Sequence, residues 1–343
     1  MRAMHRREAI GALAAGCAGL AFSAAPAFPR KAVIRTVRGD IPPDALASKA
    51  TLFHEHLSFE WARVTGRSDR PGPAKEPGPI VEQLDAASAE GVGCIVDAGT
   101  TDVGRDVAFL KQIAARTSIH IVACGGLYMQ RTYPADIASR SEEQIAGDLV
   151  REARANGYGA LGEIGETPNA AMSADERKVF RAVGRAHRQT NLPIFTHNAY
   201  GTGPNVPKDA GLTQLAVLES AGVNPNRVAV GHTCCLDDPA AGVIKAIARR
   251  GAYVGFDRVG GGLVPDDKKV AMLLAFLDAG YADRLLLSSD YNFTAKSAAR
   301  PGYATTLTMF LPKLRAAGVS DQTLHAIMFD NPRRFLAFVP RQS

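Results

Sequence analysis

Along residues 50–291, short apolar runs rich in Val, Ile and Leu alternate with longer segments of amphipathic pattern. That alternation reads as repeated strand–helix units. Eight strands are expected: residues 50–56 (ATLFHEH), 93–99 (GCIVDAG), 120–126 (HIVACGG), 159–165 (GALGEIG), 192–198 (LPIFTHN), 228–233 (VAVGHT), 252–258 (AYVGFDR) and 285–291 (LLLSSDY). Eight strands with helices between them predict an α/β fold, the TIM (β/α)8 barrel, as a single domain over residues 28–343. The intervening helices carry start signals. SEEQ at 141–144 and SADE at 173–176 read as capping boxes, and Asp238-Pro239 reads as an N-cap followed by proline at the first helical position. The Pro/Gly-rich stretch 66–79 follows the first strand and is expected to line the pocket on the catalytic face.

Polar residues recur where these strands end. In an extended TLFHEH, His54 and His56 point one way and Glu55 the other, which suits chelation. Glu163 ends the fourth strand, His197 the fifth, His232 the sixth and Asp290 the eighth. Barrel enzymes place their chemistry at these C-terminal strand ends. Four histidines, a carboxylate able to bridge and a terminal aspartate suit two divalent ions roughly 3.5–4 Å apart, which polarise an ester oxygen and activate a shared water. Imidazole with carboxylate suits zinc, and manganese, iron and cobalt accept the same ligand types. The remaining histidines do not fit: His120 begins a strand, and His187 and His325 fall in helices.

With these residues in place, residues 39–338 resemble the phosphotriesterase family of the amidohydrolase superfamily. The resemblance is carried by TLFHEHL, GRDVAFLKQIA (104–114), FTHNAYGTG (195–203), VAVGHT, SSDYNF (288–293) and FDNPRRFLAF (329–338). It implies His54, His56 and Asp290 on one ion, His197 and His232 on the other, and a bridging residue at the end of the fourth strand beside a bridging hydroxide. Asp290 would orient that hydroxide and accept its proton as the catalytic residue. Well-known members bridge their metals with a carboxylated lysine, yet no lysine occurs between Lys111 and Lys178. GEIG resembles the branch that uses glutamate, so Glu163 is the expected bridge and Glu166 the fallback. The expected reaction is hydrolysis of a lactone or carboxylic ester. A phosphotriester is the alternative substrate, and a small-ligand-binding barrel without turnover the alternative of another class. Arg258 either contacts an anionic or carbonyl group in the pocket or pairs with Asp257, a dipeptide that resembles the lactonase branch. Tyr128, Trp61 and Tyr291 are candidate pocket walls.

Composition narrows the setting. Residues 1–27 join a basic start with Arg6 and Arg7, an Ala-rich apolar middle and a small-residue ending at Ala25-Pro26-Ala27. This is the pattern of a twin-arginine-like export signal, which places the mature chain in the periplasm or outside the cell. The apolar part is short for a membrane span of about 20 residues. Lipid attachment through Cys17 is the lesser expectation. Removing residues 1–27 lowers the formal charge from +6 to +4, and the remaining Lys and Arg are scattered among acids. No nucleic-acid or membrane surface is expected, and a homodimer is left open. Cys94, Cys124, Cys234 and Cys235 are expected as buried thiols. N-terminal sequencing of native protein should find a chain starting near Phe28 outside the cytoplasm; an intact Met1 on cytoplasmic protein would contradict the export reading.

Overall fold

The computed structural model describes residues 26–67, 76–168, 170–198, 207–262, 264–293 and 301–341. Nearly all of the expected export signal and most of the 66–79 loop lie outside the described residues. A short antiparallel hairpin, β1 (Ile34–Thr36) with β2 (Gly39–Ile41), precedes eight strands. These are β3 (Ala50–Glu55), β4 (Val92–Asp97), β5 (His120–Gly125), β6 (Ala160–Gly165), β7 (Ile194–His197), β8 (Val228–Val230), β9 (Tyr253–Phe256) and β10 (Leu285–Leu287). They pair in chain order and all parallel, as expected for the barrel. The helices are α1 (Trp61–Thr65), α2 (Pro77–Ala89), α3 (Val107–Ala114), α4 (Glu142–Asn156), α5 (Ala174–Thr190), α6 (Ala210–Ser220), α7 (Gly242–Arg249), α8 (Asp266–Asp278), α9 (Leu311–Ala316), α10 (Asp321–His325) and α11 (Asn331–Leu336). Both capping boxes form, at Ser141 and Ser173. Asp238-Pro239 does not begin a helix. It makes a turn, and the Asp238 carboxylate reaches forward to accept from the Val243 amide at 2.9 Å in the first turn of α7. Among the described residues no helix is long and apolar enough to cross a membrane. The four described cysteines, Cys94, Cys124, Cys234 and Cys235, are buried thiols.

Strand alternation sorts the side chains into two shells. Val96, Val122, Phe195 and Leu286 fill the bore of the barrel, while Ile95, Ile121, Ile194 and Leu285 pack beneath the helices. The bore cluster continues into Ile34, Leu46, Phe335 and Leu336, so the N-terminal hairpin and α11 close the end of the barrel away from the strand C-termini. Three strands depart from simple alternation: β4 at Gly93, where Val92 to Cys94 spans two steps opposite one in β3, and β3 and β6 nearer the site. Leu52 to Glu55 in β3 spans three steps opposite two in β4, and Leu161 to Ile164 in β6 spans three opposite two in β7. One extra residue reverses which face every later residue takes. Phe53 and His54, adjacent in sequence, therefore both face the bore. Glu163 does likewise; without the extra residue it would share the outer face of Leu161.

Phe53 and Phe195 form an apolar floor under His54, at ring-centroid distances of 5.8 and 5.5 Å. Space for that floor comes from glycines. A Cβ on Gly162 would stand 2.4 Å from the Phe195 ring, and one on Gly255 would stand 2.8 Å from that of Phe53. The seam between β3 and β10 closes differently from the other pairs. A single parallel bridge joins His56 to Asn292, and the His56 amide donates to the Tyr291 carbonyl at 2.9 Å. The buried Glu55 carboxylate, on the face opposite the histidines, accepts from the Ser289 amide, the Ser289 hydroxyl and the Tyr291 amide at 2.9, 3.0 and 2.6 Å. Glu55 thus ties the loop carrying Asp290 to the strand carrying His54 and His56. Glu55→Ala leaves two buried amides without acceptors and should lower the unfolding free energy of metal-free protein by about 3 kcal/mol. Urea denaturation checks this; a change within roughly 0.5 kcal/mol, the size of an inert surface substitution, would contradict the clamp.

Candidate metal centre

The six expected strand-end residues meet at one point, around the Glu163 carboxylate. Glu163 Oε2 lies 2.8 Å from His197 Nδ1, 3.2 Å from His54 Nε2 and 3.4 Å from His232 Nε2, and Oε1 lies 3.5 Å from His56 Nε2. Asp290 Oδ1 stands 3.0 Å from His56 Nε2 and 3.6 Å from His54 Nε2. Two of the six sit on unusual backbone. His232 (φ 54°) and Asp290 (φ 52°) are left-handed without being glycine, a conformation that costs on the order of 1–3 kcal/mol and gathers at functional sites. Both lie just past the ends of β8 and β10, where the chain has left the sheet and can turn a side chain back over the bore.

The donor set fits divalent ions. His54, His56 and Asp290 offer ligand atoms within 4.8 Å of one another, and so do Glu163, His197 and His232. Two ligands bonded to one ion at about 2.0–2.2 Å stand roughly 2.8–3.6 Å apart, which is the range of the separations above. His54, fully buried, makes no well-formed hydrogen bond from either ring nitrogen, although each faces a carboxylate. Charge agrees. Glu163 and Asp257 are buried and Asp290 nearly so, and among the described residues the one guanidinium that pairs with any of them is that of Arg258. Burial works against charge on His54 and His232, yet Glu163 and Asp257 raise His54 well above the ordinary histidine value. Asp257 carries His232 up to about 9 against both burial and Arg258. Burial, helped by the neighbouring His232, takes His197 down to about 4. Although burial opposes its charge, Glu163 is held well below the usual carboxylate range by His197 and His54. Protons on His54 and His232 supply the positive charge that metal cations would supply in their place.

A profile of the phosphotriesterase family matches residues 32–336. The chain belongs to the phosphotriesterase family. It is 33% identical over 294 residues to the phosphotriesterase homology protein of Escherichia coli (strain K12), covering 83% of this chain and 97% of that one. It is 29% identical over 320 residues to the aryldialkylphosphatase of Saccharolobus solfataricus, covering 86% and 98%. The crystal structure of the Escherichia coli phosphotriesterase homology protein complexed with phosphate in its active site superposes with a TM-score of 0.77 at 31% identity. That match covers 84% of this chain and 99% of that one. This phosphotriesterase-family chain is a metal-dependent hydrolase.

Around the centre of this phosphotriesterase-family hydrolase, the other expected residues divide. Tyr128 faces the site, its hydroxyl 3.1 Å from both ring nitrogens of His197. Arg258 also faces it, with Nε donating to Asp290 Oδ2 at 2.6 Å. Its partner is therefore not Asp257, which turns to His232 and His54. Both residues lie just past the end of β9, and each finds a different partner there. Tyr291 turns into the core, packing edge-on against Tyr303 with ring centroids 4.9 Å apart, and is not a pocket wall. The Trp61 side chain lies outside the described part of the structure. Glu166 is buried but pairs with the Gln214 amide at 2.9 Å instead of a histidine. His120 begins β5, His187 Nδ1 lies 2.6 Å from the Leu192 carbonyl oxygen, and His325 stacks on Phe329; none approaches the centre. Two supporting groups went unnoticed in the sequence. Asp102, just past β4, accepts from the Tyr128 amide at 2.9 Å and from the hydroxyls of Thr132 and Thr100, both at 2.6 Å, and so fixes Tyr128. Lys269, fully buried in α8, donates to the Arg258 and Gly261 carbonyls and fastens the loop that bears Arg258. An acid just beyond a strand end signalled the first; nothing in the pattern signalled the second.

Proposed function

We propose that this chain hydrolyses a lactone or carboxylic ester at two divalent ions, zinc first among them. His54, His56 and Asp290 would hold one ion, His197 and His232 the other, and Glu163 would lie between. The observation that carries this reading is the Glu163 carboxylate within 3.5 Å of a ring nitrogen of all four histidines. Glu163 supplies two oxygens by itself, so a carboxylated lysine is not needed. Divalent ions held there supply Lewis-acid polarisation of the ester oxygen and an activated water. The chain's own groups do the rest. Asp290 takes up the proton that the attacking water loses, and Arg258, whose side chain is 29% exposed, donates toward the oxygen on which charge develops. A guanidinium in that place suits the planar acyl group and the carboxylate formed from it. The Tyr128 hydroxyl offers a second donor on the same side. A phosphotriester remains the second reading, favoured by the likeness to an aryldialkylphosphatase. A barrel without turnover is disfavoured by the complete donor set. Export would set this activity outside the cytoplasm.

The test combines metal analysis with a substrate panel. Purified protein should carry close to two divalent ions per chain, lose activity on prolonged chelation, and turn over lactones or aryl esters faster than phosphotriesters. Glu163→Gln should lose at least one ion, while Glu166→Gln should keep both. Reconstitution of metal-free protein should proceed equally with and without bicarbonate. Protein that contains no metal and stays active through chelation would refute the reading, and a requirement for bicarbonate would refute the glutamate bridge.

A further inference from the structure

His54 and His232 each present their two ring nitrogens to different carboxylates. Their Nε2 atoms look toward Glu163 at 3.2 and 3.4 Å. Behind them, His54 Nδ1 lies 3.1 Å from Asp257 Oδ2 and His232 Nδ1 lies 2.8 Å from Asp257 Oδ1. Asp257 is fully buried and also accepts from the His232 amide at 2.9 Å, which sets the left-handed turn at that residue. An ionised carboxylate only accepts hydrogen bonds. Oδ1 holds the His232 ring by a hydrogen bond, and Oδ2 approaches His54 Nδ1 closely without hydrogen-bond geometry; in both places the negative charge favours the tautomer protonated at Nδ1, which leaves the Nε2 lone pair free for an ion.

We propose that Asp257 is a positioning residue shared by both halves of the metal centre, holding the tautomer and ring orientation of His54 through one oxygen and of His232 through the other. This rests on the reading above, in which those histidines serve different ions. Glu163 joins the two halves from the pocket side, and Asp257 joins them from behind. Its loss should therefore weaken both sites together, unlike the loss of any single histidine.

The test titrates metal-free mature protein with cobalt(II), following the visible absorption of the bound ion, and reads histidine tautomers from long-range proton–nitrogen NMR spectra of the metal-free protein at a pH high enough to leave both rings neutral. The parent should bind in two steps, with His54 and His232 both protonated at Nδ1. Asp257→Ala should weaken both steps by about 10–100-fold, the usual effect of losing a group that orients metal ligands. Asp257→Asn keeps the shape but has one accepting oxygen, so it should weaken one step by that factor and shift the tautomer of the corresponding ring. Glu166→Gln, buried nearby but paired with Gln214, should change neither step. An Asp257→Ala variant that keeps either step at parental affinity overturns the proposal. If that variant does not fold, an Asp257→Asn variant with both steps and both tautomers unchanged overturns it. A parent that binds fewer than two ions contradicts the binuclear reading instead, and the tautomer measurement then decides the role of Asp257 alone.

Discussion

A carboxylate with 1% of its surface exposed, surrounded by four imidazoles, is the constraint on which this barrel depends. Burying Glu163 over a floor of Phe53 and Phe195 is tolerable only where positive charge meets it at close range. The surrounding structure provides for that requirement. The extra residue in β6 brings Glu163 to the bore, the extra residue in β3 does the same for His54, and glycines opposite the phenylalanines leave room for both. The barrel must then close for His56 and Asp290 to join the group, and Glu55 supplies the closure on the far face of the same strand.

Exposure rises in order across the centre, from Asp257 and Glu163 at 0 and 1% to the Asp290 and Arg258 side chains at 12 and 29%. The deep carboxylates hold ligands and the shallow pair faces solvent. In the proposed reaction Asp290, the shallow carboxylate, would serve both as a metal ligand and as the proton acceptor. Burial opposes charge on Asp290, yet Arg258 holds its carboxyl well below the usual carboxylate range, so it is ionised at neutral pH. Asp102 and Lys269 act at one remove, holding the loops that carry Tyr128 and Arg258.

Much of this was legible in the sequence because strand periodicity and ligand chemistry leave direct marks. Seven of the eight barrel strands lie within the expected runs, trimmed by one to four residues; β4 begins one residue earlier, at Val92, and all six strand-end groups converge. What was hidden has a physical cause in each case. A bulge adds one residue without altering composition, so the faces of Phe53 and His54 could not be separated from the string FHEH alone. For Arg258 the sequence left a pocket contact and a pair with Asp257 equally open; just past the end of β9 the chain gives the two residues different partners. Tyr128 and Tyr291 looked equivalent, both aromatic and both near strand ends; the chain path after β10 turns Tyr291 into the core against Tyr303. The start of α7 moved because Asp238 caps it across a turn and not from the adjoining position.

The central claim is that Glu163 sits between two cations, each carried by its own pair of histidines. Anomalous diffraction from a zinc-loaded crystal, recorded on both sides of the zinc absorption edge, tests it most directly. The account expects two peaks flanking the Glu163 carboxylate, one beside His54, His56 and Asp290 and the other beside His197 and His232. A single peak, or two peaks with Glu163 bound to neither, would contradict it.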